Sequence, residues 1–245
     1  MTKRRSHRRG FAVTTLIGFE ERRATVWEVF SRTVKRNTIV ELCGKRQTER
    51  SLYNFHESIV DALRPMLKEG VKSIVVAAPM KTDYAAQFLD HVRKHHAWLI
   101  QGKGSNVAAF GELVGSAGQF DEVSDLVKTK EFQKLTGKTA SEEAGRMVDI
   151  LEKSLNSAED STVILYSLSE IEELVFGEWI HGSLKPEHLM ITDKYLEGRK
   201  DKNRINRLLQ ISKNKSVKTR VVNFETPAGK RLGQMGGLVC VAKSS

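Results

Sequence analysis

Cysteine is nearly absent: Cys43 and Cys240 stand almost at opposite ends of the 245 residues. That excludes a disulfide framework and every cysteine-based zinc spacing, so both are expected as free, buried thiols in a reducing cytosol. No apolar run approaches the about 20 residues that cross a bilayer, so no membrane partner is expected and the localisation read here is cytoplasmic. The amino terminus is basic but leads into strand-like sequence rather than an apolar signal core. Catalytic signatures are missing too, with no Gly-x-Ser-x-Gly and no evident Ser-His-Asp set. Gly102-Lys103-Gly104-Ser105 lacks the spacing of a phosphate loop and reads as an exposed turn. His95 and His96 are adjacent on a helix end, where neighbours do not face one another, and no cysteine or carboxylate cluster flanks them in sequence. His7, His56, His181 and His188 are isolated and read as structural or solvated. Neither a metal nor a cofactor is expected.

Positive charge is what the chain has in excess. The net charge is +10, with 40% apolar and 29% charged residues, the balance of a folded protein with an acidic partner, RNA first among the candidates. The charge is unevenly spread. Residues 1–50 carry thirteen Lys/Arg against five acids, residues 193–231 twelve against four, and residues 112–173 only six against fourteen. Two basic lobes around an acidic middle suggest a surface with a facing. Residues 1–9, with Lys3, Arg4, Arg5, Arg8 and Arg9, read as a flexible arm for phosphates.

Phe11 to Phe19, Ala24 to Phe30 and Val34 to Leu42 read as a three-strand antiparallel meander. A helix follows, with Leu52, Phe55, Ile59, Leu63 and Met66 on one stripe and Pro65 expected to kink rather than end it. Ile74 to Ala78 is a fully buried strand, Tyr84 to Val92 a helix, and Asn106 to Phe110 another strand. The corner Gly115-Ser116-Ala117-Gly118-Gln119 reads as a tight turn, with approach to a ligand as the sharper alternative. Beyond residue 128 strands and helices alternate: a long polar helix, then Thr162–Tyr166, Glu170–Phe176, His188–Thr192, a basic helix to Asn214, Val217–Asn223, Pro227–Gln234 and a closing Gly237–Ala242 strand. The expectation is an α/β protein of two domains after the arm at 1–9: a mixed-sheet domain over 10–128 and an α-β-α sandwich over 129–245.

Between the third strand and the first helix lies Gly44-Lys45-Arg46-Gln47. Gly44 permits a sharp bend, Lys45 and Arg46 bring positive charge, Arg50 follows in the first helical turn, and a helix start favours anions. Gln47 cannot act as a base, but its amide can orient water and bind developing charge. Whether it does so, or is polar filler ahead of the helix, is open at this stage.

Taken together, the projecting loop, the F-H-E-S-I-V-D-A-L helix, V-K-S-I-V-V-A-A-P-M-K-T-D-Y and F-G-E-L-V-G-S-A-G-Q-F-D-E-V resemble the central domain of Pelota and the archaeal and eukaryotic class-1 release factors. E-H-L-M-I-T-D, V-K-T-R-V-V-N-F and Gly236-Gly237-Leu238-Val239 resemble their carboxy-terminal domain. The amino-terminal decoding domain of the family has no counterpart here. Release factors carry Gly-Gly-Gln in the loop after the third strand, where this chain keeps only Gly44 and Gln47. Pelota-like proteins have a basic loop there, which suits Lys45 and Arg46. The resemblance implies a ribosome-associated rescue or surveillance factor that contacts rRNA and tRNA near the acceptor end, with a translational GTPase or the ribosome-recycling ATPase as partner. It also implies an alternative, a peptidyl-tRNA hydrolase working through Gly44 and Gln47. A general RNA-binding protein is the third reading.

Overall fold

The computed structural model describes residues 10–101, 107–156, 162–179, 183–198 and 201–244. It divides into two compact units. In the first, strands β1 (Ala12–Phe19), β2 (Arg23–Phe30) and β3 (Val34–Glu41) form the meander, and β4 (Ser73–Ala78) and β5 (Ala109–Val114) extend it. The order is β3-β2-β1-β4-β5, antiparallel among the first three and parallel from β1 to β4 to β5. The strand expected at Asn106–Phe110 begins three residues later, at Ala109.

Strand periodicity sorts the core onto two faces. Leu16, Trp27, Val29, Val75 and Ala77 point to one face, against Val123 of α3 (Phe120–Leu126) and Phe132 at the start of α4 (Lys130–Asn156). On the other face the Phe19 ring meets Phe55 of α1 (Glu49–Lys68) and Phe88 of α2 (Tyr84–His95), with centroids 6.1 and 5.5 Å away. Helix α1 runs on through Pro65 to Lys68, and Phe55, Ile59, Leu63 and Met66 of its stripe are buried. Buried apolar area of this extent is the main force holding α1 on the sheet, and it fixes where the preceding loop emerges.

The Gly115–Gln119 corner is occupied by the protein itself. The Ala117 carbonyl accepts a hydrogen bond from Trp27 Nε1 at 2.8 Å, and the Glu122 carboxylate accepts from the Gly118 and Gln119 amides at 2.9 and 3.0 Å. A Cβ on Gly18 would overlap the Ala117 carbonyl, so only glycine fits beneath it. The tight-turn reading is the one the geometry supports.

In the second unit the sheet order is β6-β9-β7-β8, from β6 (Thr162–Leu165), β7 (Leu184–Thr192), β8 (Lys218–Val222) and β9 (Leu238–Ser244), with β7 and β8 parallel and the other pairs antiparallel. Alternate residues serve opposite cores. Leu189, Ile191, Leu238 and Cys240 pack with α5 (Leu168–Phe176) and α7 (Lys202–Asn214). Met190, Val239 and Val241 pack with the second half of α4 and with α8 (Pro227–Gln234). Helices on both faces make this sheet an α-β-α sandwich. The long basic helix expected over 193–214 is two helices, α6 (Asp193–Gly198) and α7. Among the described residues no helix is long and apolar enough to cross a membrane.

Candidate functional site

The loop that joins β3 to α1 is built from a few local constraints. Leu42 is buried and donates its amide to the Arg22 carbonyl at 2.8 Å, which ends the strand pairing. Gly44 then turns the chain with φ +106°, and a Cβ there would stand 2.7 Å from Ser51 Oγ in the first turn of α1. A side chain would be strained on both counts. The Thr48 amide closes a turn onto the Lys45 carbonyl at 3.0 Å, and the helix begins at Glu49. Cys43, expected to be buried, is exposed at the loop entrance, whereas Cys240 is buried, which pushes its thiol up to about 12.

The two cations of the loop have different surroundings. Lys45 is exposed, as are Gln47 and Arg50. Arg46 turns inward. Its Nε and Nη2 donate to the Glu21 and Glu20 carbonyls at 3.0 and 3.1 Å, and its guanidinium lies over the Tyr84 ring, 3.8 Å from the centroid, with Phe55 at 5.6 Å. Burial draws its pKa down from the ordinary value, opposed by Tyr84, Asp83 and Glu21. A planar fork donating to two carbonyls while stacked on an aromatic ring is a fastening that lysine would not reproduce. Arg46 therefore ties the loop to the β1–β2 turn and to α2, leaving Lys45 and Gln47 to project. Lys3, Arg4, Arg5, Arg8 and Arg9 lie outside the described residues.

Part of the second basic stretch is paired within its own unit. Arg220, 5% exposed, forms a two-pronged pair with Glu143, 2% exposed. Arg204 pairs with Glu172, and Arg231 with Asp149 and Glu152. Lys215 donates to the Gly177 carbonyl at 2.6 Å, with its ammonium 4.7 Å from the Trp179 ring centre. Four acids that sequence order places between the two lobes, Glu143, Asp149, Glu152 and Glu172, are partners of three arginines of the second lobe. Some of the linear charge blocks are thus cross-paired by folding in that half.

A third group was not signalled by sequence order. Glu57 of α1 meets His91 of α2 and His96 at its end, 39 residues away for the latter. His56, one residue from Glu57, is buried against Phe19, Phe88 and His91, and that burial lowers its pKa to about 4.

A mixed-sheet α/β unit with a basic loop before its first helix, followed by an α-β-α sandwich, is a fold similar to that of a solved Pelota structure. The particular likeness is to Pelota. The chain is 22% identical over 200 residues to the Pelota homologue of Pyrococcus abyssi and 22% identical over 199 residues to that of Pyrococcus furiosus, in each case covering 81% of this chain and 50% of the relative. It thus spans about half the length of the curated relatives it matches. Among solved structures, ribosome-bound archaeal Pelota with ABCE1 is similar at a TM-score of 0.54 and 16% identity, over 99% of this chain and 65% of that one. No protein-family model matches the chain.

Proposed function

We propose that this chain is a ribosome-associated translation surveillance factor of the Pelota type, binding rRNA and tRNA near the acceptor end. The likeness to Pelota homologues along 200 residues carries the reading. The loop supports it: Lys45 and Arg50 stand exposed at a helix start, where charge and amide dipoles favour phosphate. Arg46 acts in this reading as the fastening that presents them. The arm at 1–9 adds phosphate contacts. The second unit takes the protein partner, a translational GTPase or the recycling ATPase, and the solved relative that is ribosome-bound together with ABCE1 is consistent with the latter. Co-sedimentation with purified ribosomes tests the proposal, and loss of binding with rising salt is the expected signature.

A second reading rests on one observation. Gln47 is exposed three residues after Gly44, where the chain turns with positive φ. In this position its amide is free to orient a water against a peptidyl-tRNA ester. Peptide release from stalled ribosome–nascent-chain complexes, with wild type compared to Gln47→Ala, decides it. Release that depends on Gln47 supports a hydrolase; equal release by both removes Gln47 from the chemistry, and no release from either leaves a binding factor.

A further inference from the structure

Two buried imidazoles and a carboxylate converge where α1 meets the end of α2. His91 sits in the last turns of α2. His96 closes that helix with φ −128° and ψ 43°, outside the helical region, so the chain departs there and the His96 ring returns beside His91, with ring centres 5.5 Å apart. Consecutive residues on a helix diverge, and it is this break that lets residues 91 and 96 share a side. From α1, Glu57 Oε2 reaches His96 Nε2 at 3.0 Å and His91 Nε2 at 3.5 Å. Donor atoms of the three residues all lie within 4.8 Å of one another.

The 3.0 and 3.5 Å separations from Glu57 match the edges of a coordination shell, and the two imidazoles, within 4.8 Å, would draw together around an ion. Bonds of about 2.0 to 2.1 Å in a tetrahedron place neighbouring donors about 3.3 Å apart. Hydrogen bonding accounts for the group less well. His91 and His96 are 7% and 6% exposed, both present Nε2 to the same carboxylate oxygen, and the buried His91 Nε2 has no hydrogen-bond partner. A buried ring nitrogen aimed at a carboxylate oxygen without bonding it is the arrangement that a cation between them would satisfy.

We propose that Glu57, His91 and His96 bind one divalent transition metal of the zinc type, with a solvent molecule as the fourth ligand. The donor set selects the metal class. Imidazole nitrogen with one carboxylate suits zinc and its first-row neighbours, whereas calcium and magnesium take shells of oxygen. The ion would clasp α1 to the end of α2, whose first residue, Tyr84, carries the Arg46 guanidinium. This inference is independent of ribosome binding.

The test uses the full chain without a histidine tag, stripped with chelator and titrated with zinc chloride alone in a calorimeter, with the melting temperature followed in parallel. One equivalent is expected to bind and to raise the melting temperature. Glu57→Gln and His96→Gln should each weaken binding at least about a hundredfold, while His95→Gln, altering an exposed imidazole that packs against the His91 ring but supplies no donor to the group, should weaken it far less. No stoichiometric binding by wild type overturns the proposal, as does binding abolished by His95→Gln and retained by Glu57→Gln. X-ray absorption on the wild-type zinc complex is decisive even if a variant misfolds. A shell of two imidazoles with oxygen supports the site, and an all-oxygen shell refutes it.

Discussion

Arg46 and Lys45 are neighbours of the same charge with different work to do. Arg46 has its hydrogen bonds directed at carbonyls of residues 20 and 21 and its face on Tyr84, so Arg46→Ala loses both and leaves two carbonyls with one donor fewer. A charge-assisted hydrogen bond contributes on the order of 1.5 kcal/mol, and a partly buried cation–π contact about 1. Arg46→Ala should therefore destabilise by about 2 kcal/mol in urea unfolding, whereas Lys45→Ala, on the surface, should stay within about 0.5 kcal/mol. On ribosomes the order reverses in character: Lys45→Ala should reduce the salt dependence of binding while leaving the fold alone. Equal stability losses for the two would contradict the division of labour. The sequence shows two adjacent cations and nothing to separate them. The separation comes from Glu20, Glu21 and Tyr84, which lie 25 or more residues away along the chain and are brought near only by the meander and by α2.

At the level of elements, patterning was informative where one period dominates. The α1 stripe and the fully buried β4 were legible because burial repeats at the spacing of the backbone itself, whereas Pro227–Gln234 read as either a short helix or a turn. Ion pairs were not legible, because they obey no period. Glu143 on α4 and Arg220 on β8 are 77 residues apart and almost fully buried, so neither side of the pair is visible until the sandwich closes. Removing one member of such a pair leaves a desolvated charge, a cost of about 3 to 5 kcal/mol, while replacing both with apolar residues of similar size is often close to neutral. Glu143→Gln is thus expected to lower stability by several kcal/mol, and the double variant Glu143→Leu/Arg220→Met to recover most of the loss. A double variant no better than the single would show that the pair's other hydrogen bonds carry the stability. The split of the expected basic helix into α6 and α7, and the convergence of Glu57 with His91 and His96, share this origin. Each depends on where a chain breaks or what faces it from another element.

Across the molecule, the order of elements was readable, and the fold so ordered is similar to that of a solved Pelota structure. The electrostatics were only half readable. The net charge of +10 stands, but four acids of the middle stretch pair with three arginines of the carboxy-terminal stretch. Phosphate contact is accordingly proposed for the β3–α1 loop and the arm, and protein partnership for the second unit. The measurement that tests this most directly is co-sedimentation of the purified chain with ribosomes across 50 to about 300 mM potassium salt, for wild type and Lys45→Ala/Arg50→Ala. The account predicts binding at low salt, an affinity falling as a steep power of salt concentration, and a shallower slope by about one to two ion equivalents for the double variant. No association at low salt, or a slope the double variant leaves unchanged, would contradict it.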